Sequence, residues 1–257
     1  MAQLETSPAV RPPRTFSQAA ARILRTALWQ VYRAIGYLGL VATFAALLLG
    51  FPSGPGPISN YGFDLGLYAG FILLHLVMTQ PRFKELAWGS RGGTATERRV
   101  YILVSTASWG ALYFLAAPLP GGALHLGDYE RVVAALGVLF FLVGLALMFA
   151  GTTAALVDGM IALRGAAAQF SQFAAAPLLS AGQYARVRHP KYRAAVVMCW
   201  STLLIHPTMA QLFWVALISG SFIGFIPLEE RQLMAARGAE YADYRRRTPY
   251  RLFRGIW

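Results

Sequence analysis

Several stretches of this chain continue for about 18 residues or more without a charged side chain, the length a helix needs to cross about 30 Å of hydrocarbon. In lipid such a run must satisfy its own backbone hydrogen bonds, and the strict alternation of a membrane barrel is missing, so each run reads as helix. Hydrophobic residues make up 56% of the 257 and charged ones 13%, which places the chain among all-α integral membrane proteins. Spans are expected at 34–51, 62–80, 100–118 and 132–154. The last apolar block, 194–228, is too long for one helix. His206-Pro207-Thr208 near its middle predicts a helical hairpin whose tip barely reaches the far surface. Counting the hairpin as two crossings gives six.

Charge then orients the spans. Of the 23 lysines and arginines, all but Arg131 fall in clusters at 11–33, 82–99, 164–193 and 231–254. These clusters lie on alternate connections, so the positive-inside rule predicts a protein of the inner, cytoplasmic membrane with both termini cytoplasmic. The net charge of +12 is therefore a signature of topology and of attraction to anionic membrane lipids, and no nucleic-acid partner is expected.

Residues 1–15 are rich in proline and polar groups and read as a disordered tail without the features of a cleaved signal peptide. Residues 16–33 place Phe16, Ile23, Leu24, Leu28 and Val31 on one helical face, with Arg22, Arg25 and Arg33 opposite, as an interfacial helix would. The expected organisation is thus a tail (1–15), an interfacial helix (16–33), a four-helix transmembrane part (34–154), and a cytoplasmic segment with hairpin and C-terminal helix (155–257) that carries the site. The lone cysteine, Cys199, excludes an intrachain disulfide and reads as a small buried hydrophobe.

Chemistry is to be sought where polar groups crowd the cytoplasmic ends of the spans. The stretch GQYARVRHPKY (182–192) sets Arg188 and His189 before a proline, Pro190, that suits the first turn of a helix, with Tyr192 on the same turn. After the hairpin, PLEERQLMAARGAEYADYRRRTPY places Glu229 and Glu230 where the chain leaves the bilayer, then Tyr241 and Tyr244 on an amphipathic helix. Acids and an imidazole at that depth are costly unless they serve one another or a ligand. Plainer roles exist for other groups: His206 as a structural residue at the hairpin tip, Arg245–Arg247 as headgroup anchors, and Asp158 with Arg164 as an ion pair.

SAGQYARVRHPKY, then Trp200, then the EER and EYADYRRRTP elements together resemble the C-terminal signature of membrane-embedded methyltransferases, the group of isoprenylcysteine carboxyl methyltransferase and phospholipid methyltransferases. LLHLVMTQPRFK, ERRVYILVS and GTTAALVDGMIALRGA are further similar to the upstream segments of methanethiol S-methyltransferases and NnrU-type membrane proteins. Where the methanethiol enzymes carry an arginine before the proline of the second span, this chain has Gln80. The resemblance implies an S-adenosylmethionine site built by the hairpin and the C-terminal helix, opening to the cytoplasm, with a small-molecule or lipid-like acceptor entering from the membrane. It implies His189, Pro190, Tyr192, Glu229 and Glu230 as cofactor-site residues. Arg188, Tyr241 and Tyr244 complete the cofactor-binding set, because the cofactor's carboxylate, ammonium, ribose and sulfonium call for cations, carboxylates and aromatic faces. No metal is expected.

For the acceptor a small thiol is favoured. A thiol pKa of about 8.5 calls for a base or a positive charge, and His75, His189 and Arg164 are the candidate catalytic residues, with a rate expected to rise with pH. Two other readings stay open. NnrU-type proteins are also similar to heme-binding zeta-carotene isomerases, and His75 and His189 could serve as paired heme ligands. The chain could also be a catalytically silent subunit of a larger membrane complex.

Overall fold

The computed structural model describes residues 16–89, 95–125, 127–150 and 178–257. The described residues are helical: α1 (Phe16–Leu49), α2 (Ser59–Thr79), α3 (Pro81–Trp88), α4 (Ala95–Leu115), α5 (Glu130–Phe149), α6 (Pro190–Ile205), α7 (Met209–Arg237) and α8 (Ala239–Arg247). Extended pairing among them amounts to two isolated bridges, Ser53 with Leu119 and Ala123 with Thr208. Among the described residues three helical stretches are long and apolar enough to cross a membrane, namely Ser59–Thr79, Gly127–Phe149 and Met209–Arg237. This is an all-α membrane protein, as the uncharged runs predict.

The backbone of α1 continues unbroken from Phe16 to Leu49, so the change of role expected near residue 33 leaves no break in the chain. No proline or capping glycine interrupts that stretch, and helix propagation costs little once started. Ile23, Leu24, Leu28, Val31, Ile35 and Leu38 are all exposed, an apolar stripe turned away from the rest of the chain. The helix stops at Gly50, whose φ of +77° suits glycine.

The hairpin is present as α6 and α7, joined at His206-Pro207-Thr208. At 1.5 Å per residue the 16 residues of α6 reach about 24 Å, which leaves only the last few ångströms of a hydrocarbon core to the tip. It is tied down there: His206 Nε2 lies 2.9 Å from the Leu48 carbonyl, and Thr208 Oγ1 caps α7 by accepting from Gln211 N at 3.0 Å. Gln211 in turn donates to Thr202 Oγ1 at 2.6 Å and accepts from Phe51 N at 3.1 Å. His206 is thus structural.

Around this tip lies the core, where Phe51 stacks on Trp214 at 4.1 Å beside Tyr68, Leu112, Cys199 and Ile218. Asp64, fully buried in α2, accepts from Ala117 N at 2.9 Å, and Tyr68 donates to Ser221 Oγ at 2.9 Å.

Helices α5 and α6 make the most extensive contact between elements. Glycines permit it. A Cβ on Gly144 would lie 2.5 Å from Met198 Cγ and 3.2 Å from the Ala194 carbonyl, and one on Gly137 would lie 2.9 Å from the Ser201 carbonyl. Small residues let membrane helices approach backbone to backbone. Gly144→Val is therefore expected to destabilise by about 1–3 kcal/mol through overpacking. Gly66→Ala, with nothing within 4 Å, should leave the thermal midpoint in detergent unchanged or slightly raised.

Candidate functional site

The site forms where three chain segments meet at one end of the hairpin. His189 is the N-cap of α6 and Pro190 occupies its first turn, with no side-chain cap. The preceding backbone is held by the C-terminal tail, for Arg188 N donates to the Tyr250 carbonyl and His189 N to the Arg251 carbonyl, each at 2.9 Å. From the other side the carbonyls ending α5 are capped: Gln183 Nε2 donates to Leu147 O at 3.0 Å and Ala150 O at 3.1 Å, and Lys191 Nζ donates to Met148 O.

Glu229 and Glu230 follow Pro227, a proline inside α7, which deletes the N–H that the Ile223 carbonyl would otherwise receive. Adjacent helical residues point about 100° apart, and the two acids meet different surroundings. Glu230, 5% exposed, is fully engaged. Its Oε1 accepts from Arg188 Nε at 2.6 Å and lies 3.3 Å from His189 Nε2, while Oε2 accepts from Arg251 Nε and Nη2, both at 3.1 Å. Arg188 also donates to the tail, through Nη1 to the Thr248 carbonyl at 2.8 Å and the Pro249 carbonyl at 2.6 Å. The Arg251 guanidinium also lies 4.8 Å from the centre of the Trp257 ring.

Glu229 differs. Its Oε2 is buried with no hydrogen-bond partner among the described residues, 3.7 Å from His189 Nδ1. Tyr192 bonds to the Glu229 side chain and stacks on His189 at 5.6 Å, with Phe222 5.5 Å beyond. Tyr184 and Tyr241 also feel the charge of Glu229. Burial first, then the Glu229 charge, pushes the Tyr184 phenol up. Burial and the Glu230 charge push Tyr241 up to about 12. Tyr244, raised by burial and by Tyr241, donates to the Tyr184 carbonyl at 2.8 Å. These phenols stay neutral at physiological pH, and the buried Tyr241 hydroxyl has no partner among the described residues.

Arg188, His189, Pro190, Tyr192, Glu229, Glu230, Tyr241 and Tyr244, scattered over 57 positions of sequence, are thus brought together, but in two roles. Arg188 and Glu230 hold each other and the tail, while Glu229 Oε2 and the Tyr241 hydroxyl are left with buried polar atoms to spare. The other candidates stand apart. His75 lies in α2 with Nδ1 2.7 Å from the Phe71 carbonyl and its ring 5.9 Å from Tyr101. A carbonyl only accepts, so Nδ1 carries the proton and Nε2 keeps its lone pair. His75 and His189 make no contact among the described residues, and both His189 nitrogens face carboxylates, so heme ligation by His189 would require breaking that arrangement. Arg164 and Asp158 lie outside the described residues. Trp200 is exposed on α6.

Arg251, Trp257, Tyr184 and Gln183 belong to the site without being singled out by the sequence. An open cleft of about 510 Å³ along the opposite side of α7 is lined by Glu230, Arg231, Met234, Arg245 and Arg251 among others.

No family model matches the chain, and no solved structure matches it. Curated proteins do. It is 26% identical over 221 residues to a methanethiol S-methyltransferase of Crocosphaera subtropica, covering 84% of this chain and 83% of that protein. Methanethiol S-methyltransferase 2 of Bradyrhizobium diazoefficiens is 27% identical over 223 residues, covering 84% and 81% respectively. The methanethiol S-methyltransferase of Mycobacterium tuberculosis is 28% identical over 220 residues, covering 83% and 85%. The chain is therefore a relative of the methanethiol S-methyltransferases over most of its length, as its upstream and C-terminal motifs imply.

Proposed function

We propose that this chain is an integral membrane methyltransferase that uses S-adenosylmethionine and acts on a small thiol or another membrane-soluble acceptor. The observation that carries this reading is Glu229: a carboxylate with a bare, buried oxygen beside the stacked His189 and Tyr192 rings, its charge felt by Tyr184 and Tyr241. A carboxylate beside aromatic rings suits a methylated cation, through charge and cation–π attraction together. When bound, S-adenosylmethionine supplies a methyl group activated on a sulfonium sulfur. The chain's own residues then have two tasks. Glu229 and the tyrosines hold the reacting centre in position, and the apolar packing of Phe222 and Tyr192 excludes water, which together can supply most of the acceleration without a metal. The spare Tyr241 hydroxyl offers a donor to the ligand's polar groups.

Similarity to enzymes named for methanethiol favours a small thiol over a lipid. Methyl-labelled S-adenosylmethionine incubated with the purified protein and a panel of thiols, prenylcysteines and lipids is expected to label a thiol. Label found only in a lipid or a carboxyl ester would replace the acceptor. A protein that retains no S-adenosylmethionine in mass spectrometry and shows a heme absorbance band would overturn the reading.

The topology proposed with it has six crossings in the inner membrane and both termini in the cytoplasm, supported by the distribution of basic residues. A reporter fused at the C-terminus should be active in its cytoplasmic form and silent in its periplasmic form.

A further inference from the structure

We infer that Glu229 is the proton acceptor of the reaction, and that the acceptor thiol enters as neutral S–H rather than as thiolate. The inference rests on the methyltransferase reading above and on the charges around one buried oxygen. Glu229 Oε2 lies 3.7 Å from His189 Nδ1 at the start of α6 and has no hydrogen-bond partner among the described residues. Tyr192, stacked on His189, bonds to the Glu229 side chain, and the Glu229 charge also reaches Tyr184 in the turn before α6 and Tyr241 on α8. Tyr101 of α4 acts on Tyr192 electrostatically. The phenols are neutral donors. Of the two arginines whose charge reaches Tyr241, Arg188 is bonded to Glu230 and Arg245 is exposed to solvent, and the imidazole sits between the two carboxylates.

A thiolate entering this cage would add a second negative charge beside Glu229, with Arg188 already paired and Arg245 exposed to solvent. Like charges in a site of low dielectric repel strongly. A neutral thiol meets no such cost. As transfer proceeds, the thiol sulfur forms its bond to the methyl carbon, and the carbon–sulfonium bond breaks with its electron pair remaining on the departing sulfur. The S–H proton passes to Glu229 Oε2. One carboxylate and one sulfonium become one carboxylic acid and two neutral thioethers, so these reacting groups sum to zero charge before and after. The residue that pairs with the cation is thereby released to accept the proton at the moment the cation disappears. His75, held to the Phe71 carbonyl in α2, is not required.

The test has a binding arm and a kinetic arm, both on the full chain in nanodiscs. Binding of S-adenosylhomocysteine, whose sulfur is neutral, is measured calorimetrically at about pH 6 in two buffers of different ionisation enthalpy. The wild type is expected to take up protons with this ligand and not with S-adenosylmethionine, and Glu229→Gln is expected to lose that difference. In the kinetic arm, kcat/KM for methanethiol is expected to stay flat between about pH 6 and 8, whereas a thiolate mechanism rises tenfold per pH unit below the thiol pKa, which for a simple alkyl thiol lies above the cysteine value of about 8.5. That rise, or uptake that persists in Glu229→Gln, overturns the inference. Should Glu229→Gln fail to fold, wild-type uptake and the wild-type pH profile decide alone. Binding of both ligands without differential uptake overturns this inference only, while binding of neither overturns the methyltransferase reading with it.

Discussion

Replacing Arg188 with alanine is expected to cost about 3–5 kcal/mol, enough to remove most of the folded protein, because it takes from the buried Glu230 carboxylate the more buried of its two arginines. The cost also includes the tail, since the same guanidinium bonds the Thr248 and Pro249 carbonyls. Arg188→Lys should recover little, because an ammonium cannot reproduce a planar fork that meets a carboxylate and two carbonyls at once. Arg251→Ala, whose side chain is 26% exposed, should cost less than Arg188→Ala, as water can replace part of what is lost. Thermal unfolding in detergent, followed by the yield of monodisperse protein, ranks the three. An Arg188→Ala protein as stable as wild type would remove the clamp from this account.

The neighbouring position should behave in the opposite way. Glu229→Gln leaves no buried charge stranded and is expected to fold normally, yet to weaken S-adenosylmethionine binding by about 10–100-fold, the worth of a hydrogen bond to a charged group. Isothermal titration of the two proteins, paired with their melting curves, reads both quantities. Two adjacent acids of one type would then separate into one that is missed in the melting curve and one that is missed in the binding isotherm. Equal affinity in wild type and Glu229→Gln would remove the cation cage.

Much of this arrangement was legible beforehand, and the reasons are physical. Lipid forces backbone hydrogen bonds inside each span, so the helices and the hairpin follow from apolar run length and from one His-Pro-Thr interruption. The polar residues of the site could be named because burying them in or near a bilayer is expensive without a partner. What sequence could not separate was which partner each one takes. Glu229 and Glu230 look alike in a string, and their division of labour depends on Arg251, which returns to Glu230 from a tail 21 residues further on. Nothing in the spacing of Arg251 or Trp257 marks them, because a stacked guanidinium and an arginine that anchors a lipid share the same local context. The boundary expected at residue 33 rested on a shift from amphipathic to apolar composition, to which a helical backbone is indifferent. Likewise the intimacy of α5 and α6 depends on Gly137 and Gly144 facing backbone, and a glycine in an apolar run carries no sign of what it faces.

The tail that Arg188 gathers is grasped by main-chain oxygens at positions 248, 249 and 250, and position 251 meets His189 through its carbonyl as well. Such a grip is blind to side-chain identity but strict about spacing. Drift at Thr248 or Tyr250 therefore leaves the carbonyls in place, whereas deletion of one residue between Arg247 and Arg251 would carry the Arg251 fork about 3.3–3.6 Å along the chain and out of reach of Glu230. In descent, this stretch is free to change its letters and bound to keep its length.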